Sequence, residues 1–220
     1  MQSRIKLNDG AKLRVMKRKR LTREESKEQT RLRLLDAAQT IFMKKGFVAA
    51  SVEDVAEAAG YTRGAFYSNF RSKAELLMEL LRRDHERMQI DLNSILQDGA
   101  TREEMEARAL AFYSQFFREN DCCFLLWAEA KLLASRDAKF RVHFNAFSRE
   151  KHAFFTGYAR AFAQRVGTPL QMPAEVLALG LIGLCEGVQS FRMCDPQYIT
   201  DDLTEAVLAG FFAKAVFGAH

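Results

Sequence analysis

At 220 residues with 48% apolar content, the chain has ample material for a buried core, which excludes intrinsic disorder as its general state. Twelve glycines, three prolines and the lack of a long alternating β-rich run exclude collagen-like and β-sandwich architectures, so the expected fold class is all-α. Four cysteines with no C-x-x-C spacing exclude a disulfide scaffold and fit a reducing, cytoplasmic setting.

Positive charge is concentrated at the start. Residues 1–22 hold Arg4, Lys6, Lys12, Arg14, Lys17, Arg18, Lys19 and Arg20 against Asp9, a balance of +7 in a chain whose total is +5. The stretch buries little apolar area and reads as a solvated basic arm. Leu13, Val15 and Met16 are too few for a secretory signal. Residues 30–45 then place Leu34, Leu35, Ala38, Ile41 and Phe42 on one helical stripe. Gly46 stops that helix, and Phe47 is placed to pack back on Phe42.

The densest signal follows, in residues 51–73, SVEDVAEAAGYTRGAFYSNFRSK. Ser51 and Asp54 form a capping pair that opens a helix whose apolar face is Val52, Val55, Ala56 and Ala59. Gly60 permits the positive φ that ends it, and Thr62 caps the next helix with only Tyr61 between, so the two must cross steeply. In the second helix Ala65, Phe66 and Phe70 can face inward. Thr62, Arg63, Gly64, Tyr67, Ser68 and Asn69 point outward or line its N-terminal turn, a set suited to a major groove. The candidate DNA contacts are Ser51, Thr62, Arg63, Gly64, Ala65, Tyr67, Ser68, Asn69 and Lys73. Ser72 and Glu75 form another capping box, which predicts a third helix directly after Arg71.

The stretch RLLDAAQTIFMKKGFVAASVEDVAEAAGYTRGAFYSNFRSKAELL resembles the N-terminal domain of the tetracycline-repressor (TetR) family of bacterial one-component regulators. The likeness covers roughly residues 32–77. It rests on the Ala-Ala pair of the first helix, Gly46-Phe47, the Ser-Val-Glu-Asp-Val-Ala start, Ala-Gly at the turn, Phe-Tyr then Phe, and Lys-x-Glu-Leu-Leu. One departure is Asn69, at a position where many members carry His. Its amide still offers a donor to phosphate. The resemblance implies a homodimer in which a helical C-terminal domain binds a small molecule and sets the spacing of two reader heads on a palindromic operator in double-stranded DNA. Beside such a head, the basic arm would neutralise phosphates, with residues 17–20 entering a minor groove.

Beyond Lys73 the chain reads as five or six helices. One over residues 72–97 is long enough to act as a strut between head and second domain. Thr101 and Glu104 cap the next, and residues 124–134 and 137–166 follow with a dense aromatic set. Phe112, Phe116, Trp127, Phe144, Phe147 and Phe154 are candidates to line an apolar effector pocket, with Glu129, Tyr113, Gln115 or His143 as an orienting polar group. The same rings equally suit an ordinary core. Residues 174–193 and 200–217 carry the candidate dimer interface, Gly180, Gly183, Leu184, Gly187, Val207 and Phe211, whose small residues allow close approach about a two-fold axis. The uncharged run 176–185 is too short for a membrane span.

The expected organisation is a basic arm at 1–22, a helix-turn-helix domain at 23–71 and an effector-binding and dimerisation domain at 72–220. No phosphate loop, nucleophile motif or His-x-x-x-His occurs, and His85, His143, His152 and His220 lack ligand spacing, so neither catalysis, metal nor cofactor is expected. Two readings follow. One is a homodimeric repressor released from its operator by a hydrophobic small molecule. The other is a DNA-binding protein of the same type whose C-terminal domain serves a protein partner. A cavity in that domain, as against a solid core, separates them.

Overall fold

The computed structural model describes residues 22–97, 100–119 and 121–217, and all of their side chains except those of residues 113, 114, 116–119, 121, 122, 216 and 217. The basic arm lies outside the described residues, as do the side chains of Phe116 and Tyr113. Nine α-helices and no strand occur among the described residues: α1 Arg23–Lys45, α2 Val52–Ala58, α3 Arg63–Tyr67, α4 Lys73–Ile95, α5 Arg102–Glu119, α6 Asp121–Arg136, α7 Ala138–Val166, α8 Ala174–Cys194 and α9 Asp201–Phe212. The last helix, expected to run to residue 217, gives way to a π turn at Ala213–Phe217.

Local chemistry sets most of the boundaries. Ser51 and Asp54 cap α2 reciprocally, and Thr62 Oγ1 accepts from the Ala65 amide at the start of α3. Gly60 and Gly167 take φ of 75° and 68° where α2 and α7 end, a region that side chains with a Cβ rarely occupy. Ahead of α4, Ser72 accepts from the Glu75 amide, but Glu75 reaches back to the Arg71 amide at 2.6 Å, so the expected reciprocal box is shifted by one residue. The first helix begins seven residues before the predicted start. Thr22 and Glu25 form a capping box there, with bonds of 2.7 and 3.1 Å.

Two cores stack along α4. The lower joins Leu34, Ala38, Val55, Phe66 and Phe70 of the head to Leu76, Leu77 and Leu81 of α4 and to Ala130, Phe144 and Phe147 of α6 and α7. The upper gathers Leu92, Ile95, Met105, Ala109, Phe162, Val166, Leu177 and Phe212. The N-terminal half of α4 therefore shares the lower core with the head and with α6 and α7. At 23 residues, α4 spans about 35 Å and links the two cores.

By length and composition α8 is also apolar enough to cross a membrane. Its charged residues are paired within the fold, Glu175 with Arg160, Glu186 with Lys131 and Arg192 with Asp201.

Candidate nucleic-acid interface and effector cavity

The reader helix α3 is held from behind by Phe66 and Phe70, both essentially fully buried. Thr62, Arg63, Gly64, Tyr67 and Ser68 are exposed on its outer side, while Ala65 is half-buried. The Arg63 guanidinium pairs with Glu53 of α2 at 2.9 Å and lies 5.5 Å from the Tyr67 ring centroid. These two contacts pre-set its direction. Both are solvent-exposed and weak enough to exchange for a base edge or phosphate. Ser51 and Ser68 have local duties: the Ser51 hydroxyl accepts from the Asp54 amide, and the Ser68 hydroxyl donates to the Gly64 carbonyl. Lys45 bonds Asp54 at 2.6 Å, which together with the Ser51 contacts holds that carboxyl far below the usual carboxylate range.

Two of the expected contacts are placed differently. Lys73 does not face outward: its ammonium donates to the carbonyls of Phe47, Val48 and Ala50 at 2.5–3.3 Å and sits 4.6 Å from the Phe47 ring centroid. Burial pulls its pKa below the ordinary lysine value, against the pull of Glu129 and Asp54. Asn69 turns its side-chain NH2 back on the preceding turn, donating to the Ala65 carbonyl at 2.8 Å, and its main-chain carbonyl accepts from Arg31. An amide so engaged is not aimed at a phosphate.

In the second domain a cavity of about 120 Å³ opens between α4, α5, α6, α7, α8 and α9. Phe112, Phe124, Trp127, Phe155, Tyr158, Phe162, Leu177, Leu181, Ile182 and Phe212 supply most of its wall, and Asp84, Lys151, Glu186 and Gln189 its polar points. Of the predicted lining, Phe112 and Trp127 are present. Phe144 and Phe147 are not, because the part of α7 that carries them packs into the lower core against Trp127. Phe154 turns to the edge of His85, leaving its neighbour Phe155 to face the cavity. Gln115 and His143 are exposed on the outside. Cys123 and Cys185 also line the cavity, and burial pushes the Cys185 thiol up to about 12, so it is not a nucleophile near neutral pH. Cys194 is exposed.

Glu129 is displaced from the pocket to a more consequential place. It accepts a hydrogen bond from the Phe47 amide at 3.1 Å, and a Cβ on Gly46 would come within 3.2 Å of its Oε1. Helix α6 therefore touches the cavity through Trp127 and the head through Glu129, two residues later.

The outer surfaces of α8 and α9 are apolar and uncovered. Val176, Leu179, Phe191 and Phe211 are each more than half exposed, and no atom lies within 4 Å of where a Cβ would stand on Gly180, Gly183 or Gly187. Leu184 and Val207 are half-buried beside them.

Comparison with known proteins agrees with this arrangement. Residues 34–80 match the family model described as bacterial regulatory proteins, tetR family. The HTH-type transcriptional regulator TtgR of Pseudomonas putida is 46% identical over 67 residues, which are 30% of this chain and 31% of TtgR. That match thus spans about a third of the relative's length. Among solved structures, Salmonella enterica GusR superposes with a TM-score of 0.70 at 20% identity, covering 90% of this chain and 98% of GusR. The SmeT–triclosan complex does so at 0.65 and 22%, covering 85% and 91%; SmeT is the repressor of a Stenotrophomonas maltophilia efflux pump. At these identities the likeness is one of fold along nearly the whole chain. Residues 34–80 are thus similar in sequence to the tetR family of bacterial regulatory proteins, and the helical plan of the described residues is similar in fold to GusR and SmeT.

Proposed function

We propose that this chain is a homodimeric transcriptional repressor that holds a two-fold symmetric operator through α3 and is released when a hydrophobic small molecule enters the cavity. The bridging position of α6 carries this reading. A ligand pressing on Trp127 displaces the helix that also holds the Phe47 amide through Glu129, and the head shifts with it. The cavity favours a small-molecule effector over a protein partner for the C-terminal domain. The uncovered faces of α8 and α9 suit an isologous seam, and the basic arm ahead of α1 adds phosphate contacts. Selection from random DNA duplexes with the purified protein tests the reading. It should enrich a palindrome with half-sites about one helical turn, or a multiple of it, apart. No enrichment would overturn it.

The reader surface gives the first mutational expectation. Arg63→Ala should cost about 1–3 kcal/mol on the selected operator and relax preference at one base, as expected for a side chain that donates to a guanine edge. Tyr67→Ala should weaken operator and random DNA alike, as a phosphate contact does. Competition titrations on both DNAs check this, and equal losses for Arg63→Ala would remove its base-reading role.

Coupling gives the second. Glu129→Ala should lower the ratio of operator affinities without and with a Trp127-quenching ligand at least fivefold, because the ligand's push no longer reaches the 46–51 turn. An unchanged ratio would place the coupling elsewhere.

A further inference from the structure

The cavity wall holds a buried ammonium with no carboxylate at hydrogen-bond distance. Lys151 of α7 reaches into it with its side chain only 12% exposed and its ammonium 3.9 Å from the Trp127 ring centroid. Its nearest carboxylate, Glu186, stands at 3.8 Å, beyond hydrogen-bond length, because the other oxygen of Glu186 is taken by Lys131 at 2.6 Å. Two ammonium groups thus share one carboxylate. Asp84, the remaining carboxylate in the wall, accepts from the Trp127 indole N–H at 3.3 Å. Two turns further along α7, the buried hydroxyl of Tyr158 has no hydrogen-bond partner among the described residues, and burial raises its pKa so that it stays a donor. The surrounding wall is aromatic and aliphatic. The wall therefore holds an ammonium without a close carboxylate and a hydroxyl without a hydrogen-bond partner, while one oxygen of each of its two carboxylates is already engaged.

We infer that the site selects a hydrophobic molecule with an acidic head, a carboxylate in first place, whose oxygens accept from Lys151 Nζ while its apolar body lies along Trp127, Phe155 and Phe162. The inference rests on the effector reading above and narrows it to one chemical class. Burial of Lys151 and the like charge of Lys131 pull the Lys151 pKa down, whereas Glu186 and Asp84 pull it up. A bound carboxylate acts in the direction of Glu186 and supplies the close, charge-assisted contact that Glu186 does not make. A hydrophobic amine would instead add a third ammonium to the pair.

Trp127 is the only tryptophan in the chain and stands in the cavity wall, so its fluorescence reports occupancy without a label. The full-length protein is titrated at neutral pH, without DNA, with octanoate, 1-octanol and octylammonium, three probes with one tail and different heads. Octanoate should bind at least tenfold more tightly than octanol, and octylammonium most weakly. Lys151→Met should abolish the octanoate advantage and leave octanol within about twofold, while Lys151→Arg keeps the order. Equal affinities for the three, or octylammonium binding best, would overturn the acidic-head assignment and leave the effector reading standing. No response to any probe would overturn both. The ranking in the unaltered protein decides the matter even where a variant folds poorly.

Discussion

Gly183→Arg should give a folded monomer that no longer holds its operator. Gly183 faces outward on α8, and no atom lies within 4 Å of the position its Cβ would take, so the monomer accommodates a larger side chain without strain. The same face carries Val176 at 55% and Leu179 at 64% exposure, apolar surface that a second copy would cover. Inside such a seam a guanidinium has neither solvent nor a counter-charge, and burying it unpaired costs several kcal/mol, enough to dissociate an ordinary dimer. A single head offers few contacts, so losing the second head should lower operator affinity by about 10²–10⁴-fold, the usual gain from joining two sites. Phe211→Glu, at a ring 61% exposed on α9, should act in the same way. Sedimentation gives the association state, thermal melting the fold and a mobility-shift titration the affinity. Variants that remain dimeric and bind normally would place the interface elsewhere.

The head was legible in the sequence because its determinants are local. Ser51 with Asp54, Thr62 ahead of Ala65 and Gly60 at the turn each act within four residues, and the structure uses each of them as the pattern suggests. The Thr22–Glu25 box is equally local, and its T-x-x-E spacing was available to find the true start of α1. The cavity was less legible for a physical reason. Helix α7 is 29 residues long and passes both cores, so a stripe of rings on one face changes neighbours along its length. Phe140, Phe144 and Phe147 meet the lower core, and Phe155 and Phe162 meet the cavity. Periodicity identifies the face of a helix but not what stands opposite each turn. Glu129, expected as an orienting polar group of the pocket, instead accepts from the head. Its partner, a backbone amide 82 residues earlier, has no side-chain signature.

Lys73 shows the same limit with the larger mechanical consequence. A lysine at the first position of α4, just past the reader helix, has the look of a phosphate contact, yet its ammonium closes over three carbonyls of the turn that leads into α2. Phe47 and Ala50 are themselves buried at 6% and 2% exposure, so little water reaches their two carbonyls when the ammonium is removed, whereas Val48 stands in solvent. Hydrogen bonds to a charged donor contribute about 1.5–3 kcal/mol each, and stranded buried acceptors add their desolvation cost. Lys73→Met, which keeps the aliphatic stem over Phe47, should therefore destabilise the chain by about 3–5 kcal/mol, a large part of the stability of a typical domain. Operator affinity should fall with it, since the turn at 46–51 sets the entry of α2 and hence the pose of α3. The two roles for Lys73 separate cleanly by experiment. A phosphate contact would lower the slope of log affinity against log salt by about one unit and leave the urea midpoint unchanged. A carbonyl clamp should shift the urea midpoint strongly and leave the salt slope of the folded fraction as it was. An unchanged midpoint with a reduced slope would return Lys73 to the DNA surface.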